Sequence, residues 1–538
     1  MQNIWNLLKS NKRRILYMIC FAFACLIDQR TKTCTGLDGW LESFRDMTGV
    51  VMAVIIMSHY RISEIKKWRL PYLVWSLLCV VALVPAILWG KANRPYLNAW
   101  CVLLVDIILF GYILIHTFID VVLEKKYPKL NKKFALLWLL MMVWMIVSRS
   151  SYVWPAGYLV MFGCFYLTDY RKEEQNDLFQ GMLDGIILSF FLMQSWCFVF
   201  RPYDAERYLG VYSNSNLNAL YYLVILMAVF TKLVYVIRIG ANKWIKLFYW
   251  LGAGTLLSFV FMTIGRAAWL TAFLLGLVFL CSVKILQKKR NFIKNGLVLV
   301  LCTCLTFPLC FSAVRFLPPM FHHPVWFWGE WAESKVHSWD KWDSEKFVDI
   351  DEFMDAALGR IVDSAADLMG YSPMMMRAQA METQQVKTEG VETQIDGAQN
   401  ANAQESALTY EQFEDSYLVR KTIYKHYISR LNLMGQPYED QGFRMTPTYW
   451  IGHAHNIYLQ YGTDFGIPVM ILFAILIVWA VISFARRIYK NCNEQWVASL
   501  LFLLVPAVFG ILEYSWGAGS ITILLLFVVW RNVICEEG

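Results

Sequence analysis

Long apolar runs separated by short polar turns dominate the chain. The runs at 70–89, 217–236, 267–283 and 297–316 approach the roughly 20 residues that a helix needs to cross a bilayer. They are apolar all round instead of striped at 3.6-residue spacing, which argues against the surface helices of a soluble domain. The pattern predicts fourteen spans, near 15–27, 46–58, 70–90, 99–122, 134–148, 152–168, 182–200, 216–237, 246–263, 267–284, 296–316, 464–485, 496–513 and 517–534. The expected fold class is therefore all-α, a polytopic helical membrane protein with about 14 transmembrane helices and no fewer than 12. An N-terminal transmembrane bundle of about 11 helices is expected over 1–317, a large loop over 318–451, and further transmembrane helices over 452–538. Within the loop, 347–368 and 417–433 carry apolar residues at helical spacing and predict amphipathic helices lying on the membrane face. The stretch near 379–407 is rich in Gln, Glu, Thr, Ala and Asn and predicts a disordered insert.

Composition agrees with burial in lipid. Of 538 residues, 58% are hydrophobic and 17% charged, against about 25% charged in soluble domains. The formal net charge of +8 does not point to nucleic acid, because the basic residues sit in short clusters beside apolar runs. With fourteen spans counted, the clusters Arg61/Lys66/Lys67/Arg69, Lys125/Lys126/Lys129/Lys132/Lys133, Arg171/Lys172, Lys243/Lys246, Lys288/Lys289/Arg290/Lys294 and Arg486/Arg487/Lys490 all fall on one side with the N-terminus. The positive-inside rule makes that side cytoplasmic, with both termini, and puts 201–215 and the long loop outside. Lys9, Lys12, Arg13 and Arg14 precede an apolar stretch with no small-residue cleavage site, which predicts an uncleaved first span. The thirteen cysteines form no CxxC pair, so neither a zinc site nor a disulfide framework is expected. Nucleotide-phosphate loops, zinc-protease helices and dinucleotide fingerprints are absent from the sequence, which argues against ATP-driven transport by this chain alone.

Ionisable groups at the outer surface are costly there and become candidates for chemistry. Arg266 stands in the turn between two spans; its guanidinium either snorkels to the interface or grips an anion such as a diphosphate. Arg207 lies in a basic, polar turn that ends in Asn214, Ser215 and Asn216, where Asn216 is a candidate helix cap and Arg207 a second phosphate contact. His453 and His455 flank Ala454 at the mouth of a span, with Asn456 placed to orient substrate. Histidine titrates near neutrality and suits a general base; two histidines supply too few ligands for a metal by themselves, and a structural role for both stays open. Arg420 is either a solvated helix position or a further site residue. Asp106 lies mid-span, where it either pairs with a neighbouring helix or marks a proton path. Trp326, Trp328, Trp331, Trp339 and Trp342 suit a membrane interface or sugar rings.

His455 and Asn456 followed by Gly466 resemble the signature of the O-antigen ligase and O-antigen polymerase superfamily, although Val469 stands where that pattern has Gly, Thr or Tyr. Arg266 resembles its Ser-Arg turn with Gly265 in place of serine, and Arg207 with Gly210, Asn214 and Asn216 is similar to its Arg-x-x-Gly…Asn segment. Arg420 with Tyr424, Asn432 and Gly435 resembles a loop segment found ahead of the histidine, so the likeness covers about residues 200 to 510. The resemblance implies a GT-C-like membrane glycosyltransferase that uses no metal, cofactor or nucleotide sugar. Its donor is an undecaprenyl-diphosphate-linked glycan, its acceptor a glycan, lipid or protein, and a chain-length regulator is a further partner. It implies His455 as the general base, Arg266, Arg207 and Arg420 as diphosphate ligands, and Asn456 and Asn216 as substrate contacts. The rival expectation is a polytopic lipid-glycan transporter or flippase using Asp106 and Arg266 for passage; inverted repeats would mark it, and no pair of broken helices recurs in the two halves of the sequence.

Overall fold

The computed structural model describes residues 11–27, 47–93, 97–150, 152, 154–201, 203, 207–212, 214–288, 291–321, 348, 350–368, 416–437, 442–446, 449–514 and 520–535. Trp326, Trp328, Trp331, Trp339, Trp342 and the insert expected near 379–407 lie outside them. The described chain runs through α1 (Lys12–Ile27), α2 (Thr48–Met57), α3 (Ile62–Lys67), α4 (Arg69–Asn93), α5 (Leu97–Phe118), α6 (Lys132–Val147), α7 (Trp154–Leu167), α8 (Lys172–Phe200), α9 (Ser215–Arg238), α10 (Lys243–Met262), α11 (Arg266–Gln287) and α12 (Phe292–Phe321). Then come α13 (Ile350–Leu368), α14 (Ser416–Ser429), the hairpin β1 (Phe443–Thr446) and β2 (Tyr449–Ile451), α15 (Ile457–Phe465), α16 (Ile467–Lys490), α17 (Glu494–Leu504), α18 (Gly510–Leu512) and α19 (Ile521–Ile534).

Among the described residues, nine helices are long and apolar enough to cross a membrane: α4, α5, α8 to α12, α16, and the run of α17 and α18. The chain is a multi-pass membrane protein whose described elements are all helical apart from the small hairpin. The other five expected spans, α1, α2, α6, α7 and α19, are helical but only 10 to 16 residues long. At 1.5 Å per residue their described parts cover about 15 to 24 Å of a hydrocarbon core of about 30 Å. Every residue of α19 is buried, so protein rather than lipid surrounds it. Its buried Arg531 donates from its two terminal nitrogens to the carbonyls of Phe165 and Thr168 and lies over the Tyr170 ring, 4.0 Å from its centroid.

The core is built around α9, whose most apolar window is 89% buried, whereas that of α4 at the rim is 6% buried. Helices approach where glycine removes the obstacle. A Cβ on Gly185 of α8 would stand 2.4 Å from the Met18 carbonyl of α1, and one on Gly181 would stand 2.7 Å from that of Arg14. This small-xxx-small stripe lets two backbones pack closely where apolar burial alone gives little drive, lipid being as apolar as leucine. The buried Lys232 of α9 is held by Asp184 at 2.6 Å and Gln180 at 2.7 Å. Asp106 of α5 sets its carboxylate against the first turn of α2, where a Cβ on Gly49 would be 2.8 Å from it. A helix N-terminus with its exposed N–H groups is a favourable setting for that charge.

Two expected boundaries shift. The span expected at 464–485 begins at Ile467, because Gly466 takes φ +102° and breaks the chain into α15 and α16. The span expected at 182–200 starts ten residues earlier, at Lys172. The two amphipathic loop helices are present as α13 and α14. Phe353 of α13 packs against Phe261, Phe307 and Phe311, at centroid distances of 5.6, 5.4 and 5.7 Å, while Ile350, Met354, Leu358 and Ile361 stay exposed. The Arg238–Glu494 ion pair (2.7 Å) joins the C-terminal end of α9 to the start of α17. Arg207 and Asn216, the turn at 263–265, and His455 come together at the opposite ends of the helices they adjoin, through Thr263 and Glu513.

Candidate functional site

Three chain segments meet on Glu513 through Asn216, Arg420 and His455, and the turn between α10 and α11 joins them through Arg207. The first segment runs from the end of α8 to α9. Buried Arg201 donates from Nε to the Gly210 carbonyl (3.1 Å), and the Tyr208 amide bonds the Met262 carbonyl (3.0 Å), which ties the segment to the end of α10. Gly210 has φ +55°, and a Cβ there would lie 2.7 Å from Asn218 Oδ1, so both conformation and space require glycine. Asn216 is not the cap of α9. Asn214 holds that position in extended conformation, its side-chain oxygen accepting from the Asn216 amide at 2.8 Å. The Asn216 side chain is thereby turned to other partners. Its oxygen accepts from Arg207 Nη2 at 2.6 Å, and its Nδ2 donates to Glu513 Oε1 at 2.6 Å.

Arg207 also donates from Nε to the Thr263 carbonyl at 2.8 Å, which places its guanidinium beside the turn between α10 and α11. Ile264 there is buried with φ +48°, a left-handed conformation unusual for a β-branched side chain. A Cβ on Gly265 would stand 3.5 Å from Arg207 Nη2. Arg266, half-buried, opens α11 at this corner next to that glycine. Arg207 and Arg266, two of the three arginines singled out in the sequence, thus come from segments that touch.

The third segment joins β2 to α15. His455 takes φ +47° and directs Nδ1 to Glu513 Oε2 at 3.1 Å. A carboxylate accepts from Nδ1–H, so this contact favours the tautomer whose Nε2 lone pair is available. Asn456 caps α15, accepting from the amides of Tyr458 (2.9 Å) and Leu459 (3.0 Å), and donates from Nδ2 to the Ile511 carbonyl at 2.8 Å. Its side chain is therefore occupied in holding the turn and gives the expected substrate contact no geometric support. The His453 ring lies 4.3 Å from that of His455 and 5.7 Å from that of Tyr514. Among the described residues no group of three or more His, Cys, Asp or Glu side chains is placed to hold a metal ion.

Arg420 of α14 is not a solvated helix position. Its Nη2 donates to Glu513 Oε1 at 2.8 Å, and Tyr424, one turn on, donates to the Ile511 carbonyl at 3.3 Å. The loop helix is thus fastened to the end of α18. That end is shaped by Pro506: α17 passes into a π turn over Val505–Phe509 before α18 closes at Leu512. Such turns often mark functional positions in helices.

Glu513 was not among the residues singled out from sequence. It is 6% exposed, its Oε1 shared by Asn216 and Arg420 and its Oε2 facing His455. The available signal was an isolated acidic residue between two apolar runs, on the face that span counting assigns to the histidine. Asp106, on α5, packs at the start of α2 and is not part of the cluster. No protein-family model matches the chain, and neither does any curated protein or solved structure compared with it.

Proposed function

We propose that the chain is a membrane glycosyltransferase that polymerises or ligates undecaprenyl-diphosphate-linked oligosaccharides at the outer face of the cytoplasmic membrane, with both termini cytoplasmic. The observation that carries this reading is the single hydrogen-bonded set joining Arg207, Asn216, Arg420 and His455 through Glu513. These residues are scattered over 249 positions of sequence (207 to 455), yet they match in order the segments that resemble the O-antigen ligase and polymerase superfamily. In this reading the fold is GT-C-like, and the five shorter helices complete a count of fourteen.

The chemistry follows from the polarity of the set. The acceptor hydroxyl gives its proton to His455 Nε2 while Glu513 supports the imidazolium through Nδ1. The acceptor oxygen attacks the anomeric carbon, the bond to the diphosphate oxygen breaks with inversion, and the departing charge is stabilised by Arg207 and Arg266. Planar guanidinium forks match phosphate oxygens and need no metal ion for this task. Arg420 joins them once diphosphate competes with Glu513 for its guanidinium. Purified protein given a lipid-diphosphate oligosaccharide and an acceptor is expected to form the lengthened or transferred glycan. His455→Ala is expected to lower that rate by about 10²- to 10⁴-fold while the protein still inserts in the membrane. Undiminished transfer by the variant would remove His455 from the reaction, and movement of donor across the bilayer without any transfer would favour a flippase.

A further inference from the structure

Behind the His455 turn lies a second polar set that makes no contact with Glu513 in the hydrogen bonds described. Gln460 is 2% exposed and Asp464 1% exposed, both on the inner face of α15. Gln460 accepts from the Ala454 amide at 2.7 Å through Oε1, and donates from Nε2 to Asp464 Oδ1 at 2.8 Å. An amide group caught between one donor and one acceptor has a single workable orientation. Ala454 itself is fully buried and immediately precedes His455, whose left-handed φ of +47° persists only if its surroundings impose it.

The far end of this chain of bonds is also clamped. A Cβ on Gly435 would lie 2.2 Å from the Asp464 carbonyl, the Gln436 amide bonds the Thr463 carbonyl at 2.7 Å, and the Ile467 amide bonds that of Asn432 at 2.8 Å. Segment 432–436 therefore grips the C-terminal end of α15, and the grip passes along Asp464 and Gln460 to the peptide before His455. We infer that Gln460 and Asp464 are positioning residues that hold the His455 turn in its reactive geometry from inside the fold. Burial pushes the Asp464 carboxyl up to about 8, the Gln460 bond opposing, so near neutrality it is mostly an uncharged acid that needs no cation.

The kinetic consequence rests on the transferase reading, whereas the structural one does not, and the test separates them. Full-length protein in lipid nanodiscs is compared by hydrogen–deuterium exchange, resolved to the Ala454 amide by overlapping peptides, and by transfer from a lipid-diphosphate oligosaccharide. Gln460→Leu is expected to speed exchange at Ala454 at least about tenfold, and to lower turnover about 10²-fold with KM little changed, since misplacing a reacting group by about 1 Å costs on that order. Exchange in the α1 and α8 peptides stays at the wild-type rate and certifies the fold. Asp464→Leu is expected to behave like Gln460→Leu, while Asp464→Asn, which keeps an oxygen for Gln460 Nε2, rescues both readouts. Wild-type exchange at Ala454 in Gln460→Leu would overturn the inference whatever the activity. An exchange difference in a protein that transfers nothing would uphold the positioning role and sink the transferase reading.

Discussion

At Glu513 a single carboxylate meets a guanidinium, an imidazole and an amide, so replacing it is felt by three chain segments at once. Glu513→Gln keeps the shape and one acceptor oxygen but loses the charge that supports an imidazolium at His455. We expect transfer to fall between about 10- and 10²-fold, with binding of the lipid donor weakened less than turnover. Steady-state kinetics over a range of donor concentrations separates the two, and equal loss in both would make Glu513 a binding residue only. Asp464 allows a prediction in pH. Its carboxyl is raised from the ordinary 3.8 to about 8, first by burial, so the folded chain holds this proton more tightly than the unfolded one. Its contribution to stability is therefore largest below the ordinary value, declines as pH rises, and is gone once pH passes about 8. The unfolding midpoint of Asp464→Asn is expected to fall less than that of the wild type between about pH 5 and pH 8; parallel declines would show that burial does not hold the proton there.

Among elements, the pairing of α1 with α8 shows how a helix of 16 described residues is held in the bundle. Gly181 and Gly185 bring the backbones together, and the ion pairs Arg13–Glu174 and Arg14–Asp184, both at 2.6 Å, close over one end. Gly185→Leu places a branched side chain where a Cβ alone would be 2.4 Å from a carbonyl. Rigid backbones cannot yield as a flexible side chain would, so the cost is expected at roughly 1–3 kcal/mol or more, read as a lowered unfolding midpoint in detergent. An unchanged midpoint would mean that α1 is held by its ion pairs alone. The helix hydropathy that located α1 in the sequence says nothing of this pairing, because glycine spacing on α8 is informative only once its partner is known. The same limit applies to α15, which was merged with α16 in the expected span until the positive φ of Gly466 separated them.

For the whole molecule, the reading predicts a surface-glycan phenotype. A strain lacking the protein is expected to accumulate single repeat units on lipid if the chain is a polymerase, or long unligated chains if it is a ligase; normal surface glycans would count against both. Much of the architecture was legible beforehand. Runs of apolar residues determine helices in lipid because every backbone N–H and C=O must be paired within its own segment, and each of the fourteen expected segments carries helix among its described residues. The basic clusters Lys243/Lys246 and Arg486/Arg487/Lys490 border helix ends other than those that carry His455 and Glu513. His455, Arg207 and Arg420 stood out because charge at such positions is costly and needs a reason. Which of those charges meet, and on what, was decided only in three dimensions. The sequence by itself determined the helices, since hydrophobic periodicity and chain-internal hydrogen bonding are local. Tertiary structure alone chose Glu513 as the common partner, gave the cap of α9 to Asn214 and not Asn216, and turned Arg420 inward, since these outcomes depend on distances between segments that no spacing along the chain encodes.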